Sequence, residues 1–219
     1  MTLKLYAHPF SSYCQKALIA LYENGIAFDW QMLSPDHPEI YAEFADLWPL
    51  KRFPVLVDGE RVVTEASIII EYLHLYHPGP VRMLPDAPKA ALEVRHLDRF
   101  FDNYISAPLQ AIVGNALRPA HQHDPYGVAQ ARCLLENAYA WLDRYMDGRT
   151  WAVDDTFSLA DCGAAPSLFY ADWTHPIDPA LTRVHAYRRR LLERPSFARA
   201  VDEARTYRAL FPLGAPDRD

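Results

Sequence analysis

The spacing of hydrophobic residues divides the chain into a first part that mixes strands with helices and a second part that is helical. Short apolar runs of the kind found in strands occupy residues 3–8, 26–32, 53–57 and 61–63. Helical spacing of apolar residues occurs at 13–24, 34–48 and 64–75. The order of these segments predicts a compact β-α-β-α-β-β-α layout of the α/β class.

Local turn signals support these boundaries. Gly25 follows the first helical segment, as is typical of the residue after a helix. Asp58-Gly59 separates the last two apolar runs and predicts a hairpin turn at that dipeptide.

Beyond residue 86 the pattern is helical, and no strand is predicted. Helices are expected at residues 87–117, 125–146, 158–173 and 179–192. The predicted organisation is an α/β domain over residues 1–78, a proline-rich linker over 79–85 and an all-helical domain over 86–219. Ser158 stands three residues before Asp161, which predicts a capping box at a helix start with Phe157 as a hydrophobic staple.

Composition and charge narrow the possible partners. The chain has 219 residues and a net charge of −6, and its basic residues are dispersed, so we expect neither nucleic acid nor a membrane surface as a partner. The run Arg188-Arg189-Arg190 is interpreted as a solvated helix face. The first residues lack a signal-peptide pattern and no apolar run approaches the ~18 residues of a membrane span, which favours a cytoplasmic location.

Cysteines and histidines give no sign of a metal site. Three widely spaced cysteines argue against a disulfide framework and against a zinc cluster. Cys133 and Cys162 lie in helical apolar patterns and are predicted to be small core residues. His121 and His123 are expected at the surface, because no third ligand lies near them.

Four motifs in one order resemble the cytosolic glutathione transferase superfamily, and within it the serine-type zeta and theta-like bacterial members. They span residues 11–14 (SSYC), 49–56 (PLKRFPVL), 64–69 (TEASII) and 158–161 (SLAD). The resemblance implies that the first domain is thioredoxin-like, that glutathione is a co-substrate, and that the enzyme is a homodimer. The second substrate would be a small electrophile bound between the domains.

The SSYC stretch holds the candidate catalytic residues. The spacing of Ser12 and Gln15 is that of a capping box, which favours Ser12 as the helix cap and leaves Ser11 to face a ligand. The resemblance implies that Ser11 is the catalytic serine, which donates a hydrogen bond to the glutathione sulfur; Ser12 is the alternative. Cys14 is either a packing residue or a thiol that forms mixed disulfides with glutathione.

The remaining glutathione contacts are implied by the resemblance. Phe53-Pro54 matches a cis-proline step whose backbone pairs with the cysteinyl part of glutathione, although a trans proline at a strand start is physically adequate too. Glu65 and Ala66 open the third helix and would hold the γ-glutamyl group. Ala66 stands where most members have Ser, so Ser67 is a possible substitute. Arg52 could approach the glycine carboxylate or simply be solvated.

The electrophile pocket and the exact reaction are less defined. The expected pocket residues are Phe10, Tyr13, Tyr104, Ala107 and Arg118. Three functions are compatible with the sequence: conjugation of glutathione to small electrophiles, a zeta-like cis-trans isomerisation of an unsaturated diacid, and a binding or regulatory protein without turnover. Trp48, where many members have Asn, and Ala66 favour the third.

Two acidic residues complete the list of candidates. Asp98 and Asp102 lie one turn apart on the first helix of the second domain. They could contribute a carboxylate to a neighbouring subunit's site, but a solvated face is the expectation.

Overall fold

A computed structural model describes residues 2–219. Its first part contains a four-stranded sheet in the order β2-β1-β3-β4, in which β1 and β2 are parallel and the other pairs are antiparallel. The strands and their helices are β1 (Leu3–Ala7), α1 (Ser12–Glu23), β2 (Phe28–Met32), α2 (Pro38–Leu47), β3 (Val55–Asp58), β4 (Arg61–Thr64) and α3 (Ala66–Tyr76). The predicted order of strands and helices is confirmed.

The second part is helical, as predicted. Its elements are α4 (Pro88–Phe100), a π-helix (Phe101–Ser106), α5 (Ala107–Ala116), α6 (Pro125–Tyr145), α7 (Leu159–Thr174), α8 (Thr182–Glu193) and α9 (Pro195–Ala204). Short 3₁₀ segments follow α5 and α9, at Ala120–Gln122 and Arg205–Leu210.

Helix α7 forms the centre of the second part. All of its residues are buried, from Leu159 to Thr174, and it packs against α1, α4 and the π-helix. Its small residues, such as Gly163 and Ala164, allow α1 of the first domain to approach closely. One hydrophobic cluster spans the two parts of the chain, and in it Ile19 and Ile70 of the first domain meet α7. The sheet has two clusters of its own, around Leu5 and around Phe44.

Some boundaries differ from the sequence expectation. Asp58 pairs with Arg61, so the central residues of the hairpin turn are Gly59 and Glu60 rather than Asp58-Gly59, and Gly59 has the positive φ that such a turn needs. The segment expected as one helix over 87–117 contains the six-residue π-helix. Helix α9 and the 3₁₀ segment after it were not predicted.

The capping box at the start of α7 is confirmed. The backbone N–H of Ser158 donates to the Asp161 carboxylate at 2.9 Å, and Asp161 is fully buried. Two other expectations were wrong: Cys133 is exposed on α6, and Arg188 is buried beside Asp172. No helix among residues 2–219 is both long and apolar enough to cross a membrane.

Candidate functional site

A cleft of about 960 Å³ lies between the sheet domain and the helical domain. One side is formed by the loop after β1, the loop before β3 and the start of α3. The other side is formed by α4, the π-helix, α5 and the segment after α9. Ten of the expected site residues line it: Phe10, Ser11, Ser12, Tyr13, Arg52, Phe53, Pro54, Glu65, Ala66 and Ala107.

The helix cap is Ser11 and not Ser12, which corrects the expectation from the sequence. Ser11 is the N-cap of α1, and its Oγ atom accepts a hydrogen bond from the backbone N–H of Cys14 at 3.3 Å. Ser12 is the first residue of the helix and is buried. The side-chain amide of Gln15 donates to the carbonyl of Pro9 and to the hydroxyl of Tyr170, so it takes no part in a capping box.

Capping does not occupy the proton of Ser11. A hydroxyl has one donor and two acceptor positions, and the cap uses an acceptor. The O–H of Ser11 is therefore available to a ligand in the cleft. The backbone N–H groups of Ser12 and Tyr13 find no backbone acceptor among residues 2–219, as is usual in the first turn of a helix, and they add positive potential at this end of α1.

Cys14 is a packing residue in this structure. Its side chain is fully enclosed, and burial raises the pKa of its thiol to about 12. The thiol is therefore protonated at neutral pH and inaccessible, which argues against mixed-disulfide chemistry at this position.

The loop before β3 forms the floor of the cleft. The Phe53-Pro54 peptide bond is cis, as expected. Phe53 is partly exposed to the cleft, and Arg52 lies at its edge. Trp48 and Lys51 also line this part of the cleft and were missed as cleft-lining residues by the sequence reasoning. The indole Nε1 of Trp48 is buried without a hydrogen-bond partner among residues 2–219.

The start of α3 has an unusual backbone. Glu65 precedes the helix with φ of 69°, in a region that residues other than glycine rarely adopt. Such conformations concentrate at functional sites, where the surrounding structure holds them in place. Glu65 and Ala66 both line the cleft.

Ser67 does not act as the expected substitute for the hydroxyl missing at Ala66. It is buried behind the cleft wall, and its Oγ donates to Asp98 at 2.8 Å. Arg99 in turn donates to the same oxygen of Ser67 at 2.6 Å. The hydroxyl is thus engaged with the helical domain, and the expectation that it contacts the ligand is corrected.

The far wall of the cleft also differs in part from the expectation. Tyr104 and Arg118 do not line it, and both are exposed elsewhere. An apolar surface takes their place, formed by Leu109, Val113, Leu117, Leu210, Phe211 and Pro212. The last three follow α9, and because that helix was not predicted, no local signal placed them at the site.

Tyr13 extends the polar part of the cleft toward the helical domain. Burial raises the pKa of its phenol, and the nearby carboxylates of Asp102 and Glu65 raise it further. The phenol therefore stays protonated at neutral pH and can donate a hydrogen bond.

Asp98 and Asp102 are not on a solvated face, which corrects the expectation. Lys16 of α1 is buried, and its Nζ atom lies 2.6 Å from Asp98 Oδ1 and 2.9 Å from Asp102 Oδ1. We call Lys16, Asp98, Arg99 and Asp102 the interdomain charge cluster. It connects the first helix of the sheet domain to α4 and the π-helix, and two of its members, Arg99 and Asp102, line the cleft. Residues 2–219 contain no group of His, Cys, Asp and Glu arranged for a metal ion.

The fold agrees with the comparison to known families. Residues 5–81 match the family model described as the glutathione S-transferase N-terminal domain, and residues 125–190 match that of the C-terminal domain. The chain belongs to the glutathione S-transferase superfamily, and its thioredoxin-like first domain and helical second domain have that family's architecture.

Individual relatives span nearly the whole chain. A stringent starvation protein A homolog of Coxiella burnetii is 27% identical, with 92% of each chain covered. A glutathione S-transferase of Triticum aestivum is 24% identical, covering 91% of this chain and 92% of its own. Among solved structures, a glutathione S-transferase of Methylobacterium radiotolerans in complex with glutathione sulfonate superposes with a TM-score of 0.79 at 27% identity, covering 92% of this chain and 95% of that one.

Proposed function

We propose that the protein conjugates glutathione to small electrophiles, with Ser11 as the residue that stabilises the glutathione thiolate. The observation that carries this proposal is the position of Ser11. Its hydroxyl lies in the cleft at the positive end of α1, oriented by the hydrogen bond from Cys14 N–H and with its own proton available.

The interactions at Ser11 are strong enough to ionise the glutathione thiol at neutral pH. A free thiol of pKa ~8.5 is only a few per cent ionised at pH 7, and lowering the pKa by about two units requires roughly 2.7 kcal/mol. A hydrogen bond to a charged group contributes about 1.5–3 kcal/mol, and the first turn of the helix adds to it. Ser11 does not attack the substrate in this scheme, because the nucleophile is the thiolate of glutathione.

The other parts of glutathione would lie along the floor of the cleft. Glu65, Ala66 and Phe53 line it, and we expect Glu65 and the backbone N–H of Ala66 to bind the γ-glutamyl end and the backbone of Phe53 to bind the cysteinyl part. Arg52 and Lys51 form a cationic edge suited to the glycine carboxylate. The electrophile would then lie against the apolar wall formed by α5 and the segment after α9.

We also propose a homodimer. Large apolar side chains are exposed on neighbouring helices of the two domains, among them Ile68, Leu75 and Tyr76 of α3 and Leu92 of α4. Contiguous exposed apolar side chains favour a protein interface. Sedimentation velocity at micromolar concentration tests this proposal directly, and a purely monomeric profile would contradict it.

The thiolate test compares three variants at residues 11 and 12. Ultraviolet absorbance of bound glutathione is measured against pH for the wild type, Ser11→Ala, Ser11→Thr and Ser12→Ala. Ser11→Ala is expected to raise the pKa of the bound thiol by a unit or more and to lower kcat/KM accordingly. Ser11→Thr keeps the hydroxyl and the cap, and Ser12→Ala keeps Ser11, so both should remain close to the wild type.

Two outcomes would contradict parts of this proposal. An unchanged thiol pKa in Ser11→Ala would transfer the role to the backbone, or to Ser12 if Ser12→Ala loses it. Failure of the wild type to bind glutathione at millimolar concentration, by calorimetry or melting temperature, would reject the enzyme function altogether.

A binding or regulatory protein without turnover is the second candidate. It is favoured by the relative from Coxiella burnetii, whose name describes a stringent starvation protein and not a transferase. A panel that includes aryl halides, α,β-unsaturated carbonyl compounds and a maleyl-type diacid separates the alternatives. Turnover of the first two supports conjugation, isomerisation of the diacid supports a zeta-like reaction, and glutathione binding without any turnover supports the second candidate.

A further inference from the structure

His8 places an imidazole ring in the cleft beside Ser11. The backbone N–H of Ser11 donates to the carbonyl of His8 at 3.0 Å, so residues 8–11 form a tight turn between β1 and α1. Both side chains line the cleft. The ring of His8 therefore lies within one turn of the residue proposed to stabilise the glutathione thiolate.

Two contacts fix the orientation of this ring. Its Nδ1 atom accepts a hydrogen bond from the backbone N–H of Phe10 at 3.1 Å. Its centroid lies 4.7 Å from that of the Tyr207 ring, in an edge-to-face arrangement. Tyr207 belongs to the 3₁₀ segment that leads into the apolar wall of the cleft. The imidazole is therefore held where the loop after β1 meets that wall, at the end of the cleft proposed for the electrophile.

The hydrogen bond from Phe10 also determines which ring nitrogen carries the proton. A ring nitrogen that accepts a hydrogen bond is unprotonated, so the proton of the neutral ring is on Nε2. Burial lowers the pKa of the His8 ring, which keeps it neutral at pH 7. Nε2 has no hydrogen-bond partner among residues 2–219 and is not enclosed by the protein. The Nε2–H group is therefore a donor that is free to bind a ligand atom.

Tyr13 also offers a neutral donor to the cleft, but its surroundings are unsuited to negative charge. The carboxylates of Asp102 and Glu65 lie close enough to raise the pKa of its phenol. The pKa of His8 is lowered by burial alone, without a contribution from a charged side chain. An oxygen atom that gains negative charge during a reaction is therefore stabilised better at His8 than at Tyr13.

We propose that His8 Nε2–H donates a hydrogen bond to the carbonyl oxygen of an α,β-unsaturated carbonyl electrophile, which makes such compounds the preferred substrate class. This inference rests on the proposed conjugation of glutathione. A neutral imidazole is suited to the role, because it can polarise a carbonyl group without giving up its proton.

The reaction is an addition in which His8 keeps its proton throughout. The glutathione thiol loses its proton to solvent, and a lone pair of the sulfur forms a bond to the β-carbon of the electrophile. The π electrons of the C=C bond move to give an enolate, whose oxygen carries the negative charge. The hydrogen bond from His8 strengthens as this charge develops, so it lowers the barrier. The α-carbon then takes a proton from solvent, which balances the proton lost by the thiol and gives a neutral thioether.

The test uses two electrophiles with the same carbon skeleton. Cinnamaldehyde develops an enolate oxygen during addition, whereas cinnamyl chloride reacts by displacement of chloride and has no carbonyl oxygen. At saturating glutathione, kcat/KM is measured for both compounds with the wild type, His8→Asn, His8→Gln and Tyr13→Phe. His121→Asn is the matched control, because His121 is exposed and lies outside the cleft.

The expected effect is on the ratio of the two kcat/KM values, aldehyde over chloride. His8→Asn can keep the bond from Phe10 but has no donor at the position of Nε2, so the ratio should fall by about tenfold or more. His8→Gln can place its amide N–H at that position and should recover part of the loss. A merely structural role of His8 would change both reactions equally and leave the ratio unaltered. His121→Asn should match the wild type.

Three results would overturn this inference alone. An unaltered ratio in His8→Asn, with turnover of both electrophiles, removes the hydrogen bond from the mechanism and leaves the proposed conjugation intact. A fall of the ratio in Tyr13→Phe and not in His8→Asn assigns the donor to the phenol. A proton on Nδ1 of His8, as measured by heteronuclear NMR of the wild type at pH 7, excludes the Nε2–H donor even if the variants do not fold.

A different result rejects the proposed function. A wild type that turns over neither electrophile at millimolar glutathione removes the conjugation reaction, and this inference with it.

Discussion

The phenol of Tyr187 in α8 donates a hydrogen bond of 2.6 Å to the carboxylate of Asp161 at the start of α7, and both side chains are fully enclosed. The same carboxylate accepts from the backbone N–H groups of Ala152 and Ser158, at 2.9 Å each. Asp161 therefore connects the loop before α7, the cap of α7 and helix α8. It does more than cap one helix.

This connection changes the expected cost of losing Asp161. Loss of a helix cap alone would cost about 1–2 kcal/mol. In Asp161→Ala the buried donors of Ala152 and Tyr187 also lose their acceptor, so we expect a destabilisation of about 3–5 kcal/mol in urea unfolding. Tyr187→Phe removes a single bond and should cost only about 1–2 kcal/mol. Equal effects of the two substitutions would contradict the role of Asp161 as a shared acceptor.

The interdomain charge cluster should be sensitive to removal of its buried cation. Lys16→Met leaves Asp98 and Asp102 facing each other with only Arg99 as counter-charge, and we expect a loss of about 3–5 kcal/mol in the free energy of unfolding. Lys16→Met combined with Asp98→Asn restores the charge balance and should recover a large part of this loss. A double variant no more stable than the single one would show that packing, and not charge, explains the effect.

The stability of the protein should depend on pH through His8. Its Nδ1 atom accepts from the backbone N–H of Phe10 at 3.1 Å, and burial lowers the pKa of its ring. As the pH falls below the unfolded value of about 6.5, the unfolded chain binds a proton that the folded protein does not, so the free energy of unfolding decreases. The decrease should continue until the pH reaches the lowered folded pKa.

A matched variant isolates this contribution. Asn at position 8 can accept from Phe10 with its side-chain oxygen and does not titrate. We expect His8→Asn to lose less stability than the wild type between pH 7 and 5, as measured by urea midpoints. Parallel curves for the two proteins would exclude His8 as the source.

Asp219 should control the shape of the electrophile wall. Its carboxylate accepts from Nη1 and Nη2 of Arg205, at 2.9 and 2.6 Å, and also pairs with Arg208. These arginines belong to the 3₁₀ segment that leads into Phe211 and Pro212 of the cleft. We expect Asp219→Ala to raise KM for an apolar electrophile several-fold and to leave the affinity for glutathione unchanged. Asp217→Ala is the control, because Asp217 is an exposed residue close to Asp219 in the sequence. Equal KM values for Asp219→Ala and Asp217→Ala would contradict the role of Asp219 in shaping the electrophile wall.

The sequence by itself determined the order of the elements, because hydrophobic periodicity and turn residues act locally. The β-α-β-α-β-β-α order, the helical second part and the capping box of Asp161 follow from spacings of two to four residues. The resemblance carried by four short motifs then located most of the cleft, including Ser11, Phe53 and Glu65. Helix α9 was not predicted, and the cleft wall formed by the segment after it was therefore missed as well.

Only the tertiary structure decided which of several similar side chains caps a helix and which carboxylates form buried ion pairs. Ser12 and Gln15 have the spacing of a capping box, yet Gln15 donates to Tyr170, 155 residues away, and Ser11 caps the helix. The sequence pattern around Asp98 and Asp102 predicts a solvated helix face. In the structure both carboxylates instead pair with Lys16 of the other domain. In each case the buried polar group pairs with a residue from a distant segment. Leaving such a group buried without a hydrogen bond costs more free energy than a local contact contributes. The packing of distant segments therefore decides its partner.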